Sequence, residues 1–253
     1  MIKLNEISIG YNGRPLFDRF SLEIPSGTFN VIIGANGTGK STLLQTIGRL
    51  LLPVSGNVVI DGRDIGSLSR KDLARTISFV YSERFSGAGL TVRELVEMGR
   101  YPYTGLLGRL TSSDRQIVNE AMVDVGVSHK SECFLSDISD GERQKAMIAR
   151  VLAQQTPVLM LDEPTNYLDA ASRIEVLELI KNLVHDKSIT ALISTHDTSM
   201  ALSMADNVIT ILSDDKCPVA IHKAGSAEAF ARLDRVFADR NIRFDTERLD
   251  FIR

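Results

Sequence analysis

The stretch Gly34-Ala35-Asn36-Gly37-Thr38-Gly39-Lys40-Ser41 sets glycines, a lysine and a hydroxyl at the spacing of a phosphate-binding loop. Glycines in such a loop let backbone N–H groups curl around an anion, and a helix starting there adds partial positive charge. Lys40 would reach the β- and γ-phosphates of a nucleotide, and the Ser41 hydroxyl would bind Mg²⁺. Farther on, Asp162 and Glu163 close the apolar run VLML at 158–161. Asp162 is placed to hold the Mg²⁺ side, and Glu163 to orient and deprotonate an attacking water. Alone, an Asp-Glu pair reads as a solvated turn; the phosphate loop upstream gives this one a chemical reason. His196 follows the apolar run 189–193, so it falls along the same edge, able to donate to a γ-phosphate oxygen. In a fourth stretch, Ser139-Asp140-Gly141-Glu142, Ser139 caps a helix and Glu142 reaches back. Its N–H groups, hydroxyl and glycine also make an anion site.

Side chains so far apart in sequence converge only if buried strands carry them to one edge. Runs 158–161, 189–193 and 208–212 are continuously apolar, which suits parallel strands covered on both faces. Between them lies a helical pattern, Ile174, Leu177, Leu179 and Ile180. Strand alternating with helix marks an α/β fold, and a carboxylate ending such a strand points into the crevice where these sheets bind ligands. The opening third reads as strands. Leu22 and Ile24 alternate, Pro25-Ser26-Gly27 turns, Phe29, Val31 and Ile33 alternate again, and 57–60 runs into a tight turn at Asp61-Gly62. Residues 42–45 start the helix that the phosphate loop needs. From about 83 to 155 the chain reads as mostly helix, with capping patterns at Thr91–Glu94 and Thr111–Asp114.

The chain has 253 residues, a net charge of −3 and 43% hydrophobic residues, enough for one domain with a sizeable core. The slightly acidic balance gives no reason to expect nucleic-acid binding through phosphate neutralisation. Cys133 and Cys217 cannot build a disulfide framework, so a reducing compartment is expected. The first residues, MIKLNEISIG, carry charges where a signal peptide is apolar. No apolar run approaches the roughly 20 residues that span a bilayer, so any membrane role is expected through a partner.

In this order and combination the motifs resemble the ATP-binding subunits of ABC transporters, over nearly the whole chain. Residues 34–42 match the Walker A loop, 159–164 the Walker B strand, 139–144 the signature motif and 166–169 the D-loop; His196 matches the switch histidine. The resemblance implies a phosphate-loop (RecA-like) ABC ATPase core with an N-terminal antiparallel β subdomain. It also implies an inserted helical subdomain over about 83–155, within one domain spanning 1–253. Asn36, Gly37, Gly39, Lys40, Ser41 and Thr42 would hold ATP, Tyr11 would stack on adenine, and Ser41 and Asp162 would hold Mg²⁺. Glu163 and His196 would be catalytic. Family members work as head-to-tail homodimers with two sandwiched ATP molecules, so Ser139 and Gly141 would face the γ-phosphate held by Lys40 of the partner; Asp169 of the D-loop would also bind ATP. Each chain thus carries two halves because neither is complete alone. The chain departs from the family at Asp140 and Glu142, where glycine and glutamine are common. At Ser82 the family has its Q-loop glutamine; Glu83 or a water could take that role.

Residues 90–96 and Met98-Gly99-Arg100-Tyr101-Pro102-Tyr103 look like the helical subdomain of the importers for iron-siderophores, haem and cobalamin. That resemblance implies integral-membrane permease subunits as partners, a substrate-binding protein indirectly, and a place on the cytoplasmic face of the membrane. The alternative is a soluble ABC-type ATPase without a transport role. The long coiled coil of DNA-repair members is missing, and one cassette is present where translation-type members usually have two. A phosphate-loop kinase or GTPase fits less well, because the signature argues against a kinase and no Asn-Lys-x-Asp motif reads guanine.

Overall fold

A computed structural model describes residues 1–252 apart from 18, 82–88, 106, 107, 213, 214, 237 and 239–241. The chain opens with β1 (Ile2–Ser8), the short ribbon β2 (Gly10–Tyr11) and β3 (Arg14–Pro15), β4 (Phe20–Ile24) and β5 (Phe29–Ile33). Then come α1 (Lys40–Ile47), β6 (Ser55–Ile60), β7 (Arg63–Asp64), α2 (Arg70–Ala74) and β8 (Ile77–Val80). Helices α3 (Val92–Glu97), α4 (Ser112–Asp124) and α5 (Asp140–Ala153) precede β9 (Val158–Asp162). After it run α6 (Ala170–Asp186), β10 (Thr190–Ser194), α7 (Thr198–Met204), β11 (Asn207–Ile211) and β12 (Val219–Lys223). The chain closes with α8 (Ala227–Arg235) and the hairpin of β13 (Arg243–Asp245) and β14 (Asp250–Ile252).

Two sheets organise these elements. The first is antiparallel, in the order β4-β1-β6-β7. Ile2 pairs with Ile24 and Ile60, and Leu4 with Leu22 and Val58, so the apolar residues line up on one face. The hairpin between β6 and β7 turns through Asp61 (φ 47°) and Gly62 (φ 78°), the left-handed pair that a two-residue Asp-Gly turn requires. The second sheet runs β12-β11-β5-β10-β9-β8, parallel except for β12. Its strands divide their side chains between two cores. Phe29, Val31, Ile33, Leu159, Leu161 and Ile193 face the helices, while Ile32, Met160, Leu192 and Ile209 face the antiparallel sheet and α1. The alternation in 29–33 is therefore real, but both faces are buried, which makes β5 a central strand. The opening third also holds α2, five residues too short to show a period. In α6 the buried stripe is Val176, Leu177, Ile180, Leu183 and Val184; Ile174, expected on it, is exposed.

Between β8 and β9, all three expected capping boxes form: Thr91 with Glu94, Thr111 with Asp114, and Ser139 with Glu142. Two residues lock this helical segment to itself. A Cβ on Gly99 would lie 2.2 Å from the Arg150 carbonyl oxygen, so only glycine lets the turn after α3 approach α5. Arg100 is 4% exposed. Its guanidinium donates to Asp114 at 2.9 Å, to the Ala153 carbonyl at 2.7 Å and to Gln155 at 3.0 Å, and lies over the Tyr103 ring. No helix among the described residues is long and apolar enough to cross a membrane.

Candidate active site

The site forms where β5, β9 and β10 end. Between β5 and α1 the chain turns through Gly37 (φ 80°) and Gly39 (φ 99°), conformations that side chains rarely adopt. Thr38 braces the turn by donating its hydroxyl to the Ala35 carbonyl at 2.8 Å. Gly39 is the N-cap of α1 and supplies no side-chain acceptor, so the helix's first N–H groups face the loop. Lys40, only 7% exposed, donates to the carbonyls of Gly34 at 2.9 Å and Ala35 at 3.1 Å. Burial lowers its pKa, and the charges of Glu163 and Asp162 pull the other way. A cation held this way gains most from an anion brought beside it.

Parallel pairing places Ser194 of β10 beside Asp162 of β9. The Ser194 hydroxyl donates to Asp162 Oδ1, and the Ser41 hydroxyl reaches the same oxygen at 3.0 Å. Glu163 leaves β9 in a left-handed conformation (φ 50°). Its N–H is anchored on Ser194, 3.0 Å from the carbonyl oxygen and 3.1 Å from Oγ. The Glu163 carboxylate is then held from two sides. His196 Nε2 is 2.6 Å from Oε1, and the Asn166 amide donates to Oε2. Beyond His196, Asp197 accepts from Thr165 Oγ1 at 3.2 Å and from Arg173 at 3.0 Å, and Arg173 also donates to the Leu168 carbonyl at 2.9 Å. The turns after β9 and β10 are thereby tied together.

Nine expected residues, Tyr11, Asn36, Gly37, Gly39, Lys40, Ser41, Thr42, Glu163 and His196, line one cleft of about 330 Å³ together with Leu16. The Tyr11 hydroxyl meets Thr42 Oγ1 at 3.1 Å, which fixes the ring at the rim. Ser139, Gly141 and Asp169 do not line this cleft; they form a second cluster. Asp169 caps α6 through Ser172, and Ser172 Oγ lies 3.3 Å from where a Gly141 Cβ would sit. Both departures in the signature have local partners. Asp140 pairs with Arg143 at 2.6 Å. Glu142 accepts from the Ser139 N–H and hydroxyl, both at 2.9 Å, and lies 3.5 Å from Lys130. The Ser139 N–H, more than any other contact, holds the Glu142 carboxyl below the ordinary carboxylate range. Ser82 and Glu83 lie outside the described residues. Sequence reasoning missed the contacts of Ser194, Leu16 and the Asn166 amide. The equal register of the runs before Asp162 and Ser194 was the available signal for Ser194.

Comparison with known proteins identifies the family. The family model for ABC transporters matches residues 17–166. The ABC transporter ATP-binding protein MJ0873 of Methanocaldococcus jannaschii is 42% identical over 211 residues, 83% of this chain and 73% of that protein. The ferric enterobactin transport ATP-binding protein FepC of Escherichia coli is 38% identical over 206 residues, 81% of this chain and 76% of its own. Among solved structures, the dimeric ABC transporter cassette MJ0796 superposes with a TM-score of 0.73 at 27% identity, covering 88% of this chain and 99% of that one. A match over more than half of the sequence, on a fold that ends in these loops, makes this chain a member of the ABC transporter family and one of its ATP-binding cassettes.

Proposed function

We propose that the chain hydrolyses ATP as the motor subunit of an importer for an iron-siderophore, haem or cobalamin-type metal chelate. It works through a separate membrane permease, on the membrane's cytoplasmic face, with a substrate-binding protein delivering the chelate to that permease. The observation that carries the reading is the separation of the two half-sites. Lys40, Glu163 and His196 share one cleft, while Ser139 and Gly141 sit on a cluster of their own. A head-to-tail homodimer unites them, with Ser139 and Gly141 of one subunit facing the γ-phosphate held by Lys40 of the other, and Asp169 of the D-loop is a further ATP-binding residue. Asn36, Gly37, Gly39 and Thr42 cradle the phosphates, and Tyr11 stacks on adenine. Glu163 takes the proton of the attacking water, and His196 donates to the γ-phosphate. The match to a ferric enterobactin transport protein supports the class of cargo.

Ser41 and Asp162 fit Mg²⁺. They offer hard oxygen donors, a hydroxyl and a carboxylate 3.0 Å apart. Among the described residues no cluster of three or more histidine, cysteine or acidic side chains forms a self-sufficient metal cage. One carboxylate and one hydroxyl, leaving room for phosphate oxygens and water, is the habit of Mg²⁺ at nucleotide sites. When bound, the ion would neutralise charge on the β- and γ-phosphates. The test is a tagged pull-down from native membranes in mild detergent, read by mass spectrometry. A co-purifying polytopic permease is the expected result. Recovery of soluble partners alone would overturn the transport reading in favour of a soluble ATPase.

A further inference from the structure

We propose that Asn166 is a positioning residue for Glu163, holding the carboxylate in line for hydrolysis; this rests on the ATPase reading above. The backbone of Glu163 is fixed by β10, through its N–H on Ser194. That anchor ends at Cα. Three side-chain torsions separate it from the carboxylate, and each has alternative wells. Among the described residues two contacts decide among them, His196 on Oε1 and the Asn166 amide on Oε2. They are not equivalent. His196 presents one Nε2, and in the proposed reaction that nitrogen donates to a γ-phosphate oxygen. It cannot hold Glu163 at the same time. The Asn166 contact has no such second duty, and it is built into the turn. The Asn166 N–H donates to the Glu163 carbonyl at 3.1 Å, so side chain and main chain of one residue grip the other from three positions away. An amide N–H is also the right chemistry. It donates without ever taking a proton, so it orients a base without competing as one. Asn166 thus stays on Glu163 while the histidine changes partner.

The experiment measures ATP turnover by the full chain at saturating Mg²⁺. Asn166→Leu, near in volume but without the donor, should lower kcat about 10–100-fold, the usual effect of misplacing a reacting group. The KM for ATP should stay within about 2-fold, because Asn166 acts through Glu163 and not on the nucleotide. A Glu163→Gln/Asn166→Leu double variant should be no slower than Glu163→Gln alone, since the residue has nothing left to position. Parental kcat in Asn166→Leu overturns the inference, as does a loss that multiplies in the double variant, which would mark a purely structural role. Should Asn166→Leu fail to fold, Asn166→Asp sets an acceptor against an acceptor and is judged by the same two readouts. A parental chain that hydrolyses no ATP overturns the ATPase reading and this inference with it. A hydrolysing parent with an unaffected Asn166→Leu overturns this inference alone.

Discussion

Glu163→Gln separates chemistry from structure. Glutamine matches the carboxylate in shape, and the backbone anchor of residue 163 on Ser194 does not involve the side chain. Glutamine presents one acceptor oxygen where the carboxylate presents two, so one of the two contacts, from His196 or from Asn166, is lost. The side chain is 21% exposed. The structural cost is therefore that of one partly solvated hydrogen bond, about 1 kcal/mol, or a Tm lower by about 2–4 °C. The chemical cost is far larger. Losing a general base slows the reaction by about 10²–10⁴-fold, equivalent to about 3–5 kcal/mol of barrier. ATP binding should not weaken, because Lys40 keeps Asp162 beside it and one negative charge near the phosphates has gone. The assay pairs phosphate release with ATP binding and size-exclusion chromatography. A slow, ATP-bound dimer is expected. Hydrolysis at the parental rate would refute the assignment of Glu163, and a Tm loss above about 10 °C would show that the side chain is structural.

Lys40→Met should weaken ATP binding about 10–100-fold, the worth of one charged hydrogen bond; unchanged affinity in a binding titration counts against Lys40 as the phosphate contact. Arg100→Ala should destabilise the chain by about 3–5 kcal/mol, because it leaves Asp114 buried without its cation. Urea unfolding measures this, and a loss below about 1 kcal/mol would contradict it. Acid should destabilise the fold through the capping boxes. Main-chain N–H bonds from Thr91 and Ser139 lower Glu94 and Glu142, and the Thr111 hydroxyl does most to lower Asp114. Folded pKa values below the unfolded ones mean that this stability is complete above about pH 5 and is lost as pH falls through 4 and below. Asp114→Asn should flatten the acid limb of the urea midpoint against pH; an unchanged limb would assign acid sensitivity elsewhere.

What the sequence made legible was local or tied to the end of an apolar run. The capping boxes span four residues each and form as read, because both partners lie within one turn. The phosphate loop, Asp162 and His196 were placed by the runs they flank. Legibility failed where a contact crosses the fold. Nothing near Arg100 announces that it will be buried against Ala153 and Gln155, more than fifty residues away. The α6 stripe was misread at Ile174 because a helix only part covered tolerates an apolar residue on its wet side. The nearness of Gly141 to Ser172 depends on how α5 and α6 dock, which no local pattern encodes.

The bonds through Asp197 have a kinetic consequence. Asp197 is gripped by Thr165 and Arg173, and Arg173 also grips Leu168, so the turns after β9 and β10 close into one circuit. Opening either turn therefore breaks bonds that the other turn shares. The turns then behave as a single opening unit. Amide hydrogens of Asn166, Leu168, Asp197 and Thr198, all bonded within these turns, should exchange with solvent at one shared rate.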